Sequence, residues 1–553
     1  MKIFTKKFYF LSAIVGVLTL VSVVAIRCKK PTDGIVVTVN TSDLFHYTAL
    51  VQIVDASGAV PNNLSVEATG TNAAAIYGID GKKALAAPGG IIALAVHPKM
   101  EPAANAPLQF NLSVTGPGYL PLIIPVTIST DQKSQIIKAS ILNLTKPTAG
   151  VSSASKTATA SGGTVTSTTT LSTPASGGPE ATTITIPAGT KLQDVNGNTI
   201  NASSVSVSAN NFNTSQQNAI DLFPGGSLVA TNISGGTQTS GLMAPAGFVN
   251  VNMTAGGTEV KKFSSPINLS MTLDPGYKDP STGAPLAVGS TLGIYSYDTS
   301  TGQWKFEQNA TVTASGSNLV VNFTTSHLTT YTAAKLQTVL AVTKIAILAS
   351  WLKAGISVPI VITAAIQNGP SYKIYSQTWD LKDVITTGIV IPNAIPVPTS
   401  TNPVLFTIAT VSGTVLGNGT LTAGTSTFTV TLTAPPTNPE ATLSLKLDCT
   451  QAKQKTIVTP PDFYLLYKTT GQPASSYVVL GQVKGGLITT TQLSASVTYD
   501  FKAVLNSNVK EVKSHTIAEN VPDNQTVGGN SFNGTKYPAQ NQIDINALCN
   551  SLP

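Results

Sequence analysis

Short apolar runs rich in Val, Ile, Thr and Tyr, each closed by Gly, Pro, Asn or Asp, recur from residue 34 to about residue 520. That rhythm is the strongest constraint on the fold. β-Branched side chains fit a pleated, half-buried surface. Turn residues at this density join many short strands into a sandwich. Residues 34–39, 49–54, 91–96, 108–114 and 122–128 read as the first strands, with Asp55 to Gly58 a turn and Gly116-Pro117-Gly118 between two strands. Long helices would need more Glu, Lys, Arg and Leu than a chain with only 10% charged residues supplies. The 42% hydrophobic content is enough for several cores.

A chain of 553 residues predicts about three or four domains. The expected fold class is all-β, with tandem β-sandwich modules, Ig-like and fibronectin-like, after an N-terminal signal or anchor. The first module spans 34–145. Residues 146–160, rich in Ser, Thr and Ala, read as a flexible linker. The second module spans 161–336, the third 337–440, and the fourth 441–520. Residues 521–553 are polar and Asn-rich and read as an irregular tail. The apolar stretch 336–352, interrupted by Lys344, reads as strands or a linker helix, not as a membrane span.

Residues 1–27 carry the targeting signal. Lys2, Lys6 and Lys7 precede an uncharged apolar run from Phe8 to Ile26, the pattern of an export signal. Three readings stay open: lipidation of Cys28, cleavage after Ala25, and an uncleaved apolar anchor. Cys28 followed by Lys29-Lys30-Pro31 resembles the lipoproteins of the Bacteroidetes, although Arg27 stands where they have a small residue. The other two cysteines, Cys449 and Cys549, are an even pair in an exported chain and are expected to form a disulfide that ties down the tail. Lys2, Lys6, Lys7 and Arg27 account for all but +3 of the formal charge of +7, and Arg27 is the only arginine. With no arginine and no lysine cluster in its body, the chain is not expected to bind nucleic acid.

In the second module, Gly162-Gly163-Thr164-Val165-Thr166 is followed by residues 183–189, Asp194 to Asn198, residues 205–208 and residues 293–298. Thr301-Gly302-Gln303-Trp304 and residues 326–331 close it. This order of words resembles the β-sandwich module of ankyrins, netrin receptors and cartilage intermediate layer protein. The resemblance implies a scaffold with no catalytic residues. Trp304 and Tyr331 are expected as aromatic anchors of its core. The fourth module resembles a fibronectin type III domain: Leu493 stands six residues before Tyr499, the spacing of a tyrosine corner. Residues 114–120 weakly resemble a strand edge of carboxypeptidase-regulatory-like modules.

Candidate sites are few. His46, His97, His327 and His515 are the four histidines, and none shares a metal spacing with another. Ser326 and His327 with Asp298 form a conceivable hydrolytic set, but no G-x-S-x-G elbow accompanies them. Asp194-Val195-Asn196-Gly197-Asn198 alternates oxygen ligands as calcium loops do, yet reads better as an Asn-Gly hairpin turn. Trp351, Trp379 and Tyr375 could line a sugar platform or a core. No metal, cofactor or catalytic residue is expected, and the chain is read as a non-enzyme. The expected function is an envelope scaffold or adhesin-like interaction protein of the outer membrane, held there by its N-terminal lipid or apolar anchor, that binds a protein or glycan. Its modules are expected to hold binding loops at a distance from the membrane. The alternative is a carbohydrate-binding accessory lipoprotein of a polysaccharide-uptake system.

Overall fold

A computed structural model describes residues 45–434 and 462–517, apart from 104–105, 131, 176, 300, 354–355 and 385–387. It also describes 441–445, 447–448, 457–458, 524–527, 531–532 and 535–536. The chain is all-β. Period-2 patterning places the strands: Leu108–Thr115 alternates buried and less buried residues throughout.

Modules one, three and four share a topology that sequence reading did not anticipate. In module three the strands are Val342–Leu348, Pro359–Ile366, Tyr375–Asp380, Ile389–Pro392, Val404–Thr410, Val415–Leu421 and Thr427–Thr431. Numbered within the module, they form sheets of order 4-1-7 and 3-2-5-6. Module four repeats both orders with Ala441–Leu445, Phe463–Thr469, Val478–Val483, Leu487–Thr490, Thr498–Leu505, Asn508–Thr516 and Asn524–Val527. Module one, from Thr48–Asp55 to Ser134–Ile141, differs only in its third strand, Ile76–Gly78, which has moved to pair with the fourth. In each module the first and last strands pair in parallel. The seventh strand of module four lies within residues 521–553, which were expected to be irregular.

Module two is larger, with a sheet of 15 strands. Its strand Gln303–Ser315 bends from one layer to the other: Gln303 to Thr311 pairs with Thr291–Asp298, and Val312 to Ser315 pairs with Asn318–His327. The expected linker is largely strand. Val151–Ser161 runs antiparallel to Ser204–Phe212. Its Ser, Thr and Ala side chains are small and largely β-compatible, and the pairing outweighs the flexibility their composition suggests.

The modules follow one another in sequence but do not extend as a string. The single pair Thr378↔Ile136 joins modules three and one into an eight-stranded sheet. Module four lays Tyr464, Leu466 and Val504 on Leu50, Ile91, Ala93 and Ile136 of module one. There the Tyr464 hydroxyl lies 3.0 Å from both the Thr48 and Ser134 hydroxyls. Asn506 donates to Asp80 Oδ1 and the Ala84 carbonyl, each at 3.0 Å, and accepts the Ala86 N–H at 3.0 Å. Modules two and three share one core, in which Phe248 and Trp304 belong to the same cluster as Ile360 and Trp379. The Tyr372 hydroxyl donates across that seam to the Pro245 carbonyl at 3.0 Å. Residues 372–374 serve the seam, and the strand begins at Tyr375. The modules therefore form a folded-back body.

Candidate functional site

The three expected anchors are buried: Trp304 is 4%, Tyr331 0% and Tyr499 5% exposed. Trp304 stacks on Phe223 with ring centroids 5.2 Å apart, and Phe223 meets Phe248 edge-on at 5.3 Å. It belongs to the seam with module three, whereas Tyr331 lies in module two's internal core. The Tyr499 hydroxyl accepts the Ser494 N–H at 3.0 Å, beside fully buried Leu493. Cys28, Cys449 and Cys549 lie outside the described residues, and with them the lipidation and disulfide readings.

His327 is part of a polar hub, and the conceivable hydrolytic set with Ser326 and Asp298 is not formed. Its carboxylate is Glu307, not Asp298, which is exposed, as is Ser326. Glu307 Oε1 lies 3.0 Å from His327 Nε2 and accepts the Ser296 hydroxyl at 2.6 Å. Glu307 Oε2 accepts Lys305 Nζ at 3.1 Å. A bulge explains the placement. The ladder shifts register between Ile294 and Tyr295, so Gln308 and Phe306 have partners while Glu307 is the extra residue. A bulge re-aims the side chain it carries, and nothing in the local sequence marks one here. The Tyr331 hydroxyl donates to the His327 carbonyl and lies 2.8 Å from Thr325 Oγ1.

The order of groups decides what the hub can do. Activating a serine requires serine, imidazole, then carboxylate. Here serine and imidazole both lie on the carboxylate, so Ser296 is not presented to His327. The hub ties three strands together. Burial alone would raise the Glu307 pKa, but hydrogen bonds from His327, Ser296 and Lys305 outweigh it and hold the group at about 2. Its ionised form therefore favours the fold above its ordinary value of 4.5, and that contribution fades as pH falls from 4.5 through about 2. Glu307→Gln is expected to cost about 1 kcal/mol at pH 7, because the cluster is partly solvated. It should also flatten acid unfolding in that window. Circular dichroism melts at pH 7 and pH 3 measure both effects, and identical acid profiles for the two proteins would contradict this assignment.

Glu180 is the opposite case. It is 1% exposed, in the loop before strand Thr182–Ile186. Thr214 donates its N–H to Oε2 and its hydroxyl to Oε1, both at 2.6 Å. Burial pushes its pKa up to about 8, with a further rise from Asp274. Asn211 fixes the loop by donating to the Glu180 carbonyl at 3.2 Å.

The remaining candidates are structural. Asp194 Oδ1 accepts the N–H groups of Asn196 at 2.9 Å and Asn198 at 2.8 Å. Those bonds, led by the one from Asn198, lower its pKa. Gly197 alone in that turn has a positive φ, 87°. Trp379 is 4% exposed, and half-buried Trp351 donates its indole N–H to the Leu432 carbonyl at 3.0 Å. With Tyr375 they pack into the module-three core and form no exposed sugar platform. Among the described residues, no three His, Cys, Asp or Glu side chains converge as a metal site would require. No helix among them is long and apolar enough to cross a membrane.

No family model and no curated protein matches the chain. Among solved structures it is similar to a point mutant of the shaft pilin SpaA from Lactobacillus rhamnosus GG, at 11% identity and a TM-score of 0.17. That match covers 32% of this chain and 95% of the pilin. The Bacillus anthracis TIE protein matches at 10% identity and a TM-score of 0.11, covering 68% of this chain and 57% of that one. The surface layer protein SbsC, domains 4–9, matches at 12% identity and a TM-score of 0.08, covering 83% and 91%. Scores this low carry no argument about function. The chain is described by its own sheets, as an all-β protein of β-sandwich modules.

Proposed function

We propose that this chain is a non-catalytic scaffold or adhesin-like interaction protein of the cell envelope, exported and anchored through its N-terminus. The observation that carries the reading is the locking of modules one, three and four into one body by a shared sheet and the Tyr464 seam. Such construction spends polar groups on holding strands and modules in register. The Glu307 hub is an example. A rigid body of repeated sandwiches suits a part that bears load or presents fixed loops to a partner. Lipidation of Cys28 is the anchor this reading favours, and palmitate labelling with a Cys28→Ala control tests it.

The function is tested by binding of the purified body to isolated envelope fragments. Saturable binding, kept by a Ser296→Ala, His327→Ala variant of unchanged fold, is the expected result. No saturable binding by the wild type would overturn the proposal. Loss of binding in a well-folded double variant would move the function to the hub instead.

A further inference from the structure

The edge strand of a sheet is a template for another chain, and folded proteins guard such edges with charge, proline, brevity or a cover. Modules one, three and four each end a sheet on their sixth strand, so the same edge occurs three times in this chain. Two of the three are guarded. In module one the sixth strand, Leu122–Ile128, carries Pro125, and the module-two turn Pro224–Gly226 packs on it. In module four, Asn508–Thr516 carries Lys510, Glu511 and Lys513. In module three, Val415–Leu421 has neither proline nor charge.

That strand also ends the eight-stranded sheet that joins modules three and one. The opposite end of the sheet closes on Ile76–Gly78, a strand of only 3 residues. A register shift puts a bulge at Leu416, whose carbonyl accepts the Thr433 N–H at 2.8 Å and its hydroxyl at 2.9 Å. Beyond the bulge, Gly417 to Leu421 run in regular register with Ile408 to Val404. Among the described residues no strand pairs on their other side. The glycines serve packing, since a Cβ on Gly419 would collide with the Phe428 ring. Asn418 and Thr420 alternate with them and are exposed. The outer face continues inward without charge: Thr420 pairs with Leu405 and Leu405 with Ala365, while Asn418 pairs with Thr407. Leu405 is 38% and Val415 50% exposed.

We propose that Val415–Leu421 is a self-association edge, which pairs antiparallel with the same strand of a second copy to make one continuous sheet twice as wide. Charge selects the occupant. No charged residue occurs from 384 to 439, so this edge offers no counter-charge to a partner recognised by ions. A second copy brings an equally uncharged strand and face, and no ion has to lose its water. A two-fold axis makes the contact self-complementary, because each residue that meets another is met by it in return. The arrangement also continues an interface the fold already uses, the edge-to-edge joining of modules three and one at Thr378↔Ile136.

The test is sedimentation velocity of the purified protein over a concentration series, with hydrogen exchange of Val415–Leu421 at both ends of the series. The control is the double variant Asn418→Lys, Thr420→Lys. Both positions are exposed, so it should melt with the wild type, while like charges facing across the pair oppose association. The expected result is a micromolar monomer–dimer equilibrium in the wild type, with exchange of Val415–Leu421 slowing as dimer forms. Association should be at least about tenfold weaker in the double variant. A wild type that stays monomeric throughout would overturn the proposal. So would a dimer in which exchange of Val415–Leu421 is unchanged, a result read on the wild type alone. Equal association by a well-folded double variant would place the interface elsewhere and overturn it too.

Discussion

Replacing Glu180 with Gln is expected to stabilise the protein at pH 9 and leave it nearly unchanged at pH 4. A folded pKa of about 8 against an ordinary 4.5 means that the folded chain keeps a proton the unfolded chain releases between those values. Stability from this group is complete below pH 4.5, declines as pH rises to about 8, and is flat above it. The decline amounts to at most about 5 kcal/mol, at about 1.4 kcal/mol for each tenfold change in proton affinity. Gln is neutral and of the same shape. Its carbonyl can take the Thr214 N–H, and its amide can meet the Thr214 hydroxyl oxygen, so the loop keeps its bonds. Guanidinium unfolding at pH 4, 7 and 9 would measure the difference. Parallel pH profiles for the two proteins would show that Glu180 is ionised in the fold.

Tyr464→Ala is expected to destabilise the protein by about 3–5 kcal/mol, the range for emptying a buried aromatic site. The damage should be local. Tyr464 is fully buried on module one, and the seam around it also holds the Gln52 amide bond to the Tyr477 carbonyl at 3.0 Å. Module four should therefore loosen first, with trypsin cutting at Lys502, Lys510 and Lys513 before sites in module two. Tyr464→Phe keeps the ring and removes only the links to Thr48 and Ser134. It should cost about 1–2 kcal/mol. Equal protection of module four in wild type and Tyr464→Ala would show that the seam adds nothing to its hold.

The strands were legible and their assembly was not. Leu108–Thr115 announces itself by alternation, and Phe463–Thr469 by its aromatic run. The seam did leave a trace. Ile91–Val96 and Phe463 to Tyr467 are unbroken apolar runs, buried on both faces in the structure. A strand covered on one side only would alternate. That signal says a second face is covered, but not by which module. Glu307 was missed because a bulge depends on pairing between strands. Glu180 was missed because Gly177-Gly178-Pro179-Glu180 has the composition of an exposed loop, and only the fold buries it. The repeated strand order was hidden because topology is kept by pairing, and the three modules keep it with different side chains.

The Tyr464 seam also sets a timetable. Thr48 and Tyr464 are 416 residues apart. A chain made at 5–20 residues per second leaves the outer face of module one uncovered for roughly 20–80 s. During that wait Leu50, Ile91, Ala93 and Ile136 form a naked apolar face beside an open strand, Ser134–Ile141. Two growing chains side by side can exchange last modules, each covering the other's first, with the same contacts as the monomer. Whatever holds the young chain apart from its neighbours therefore decides whether single molecules or intertwined pairs emerge.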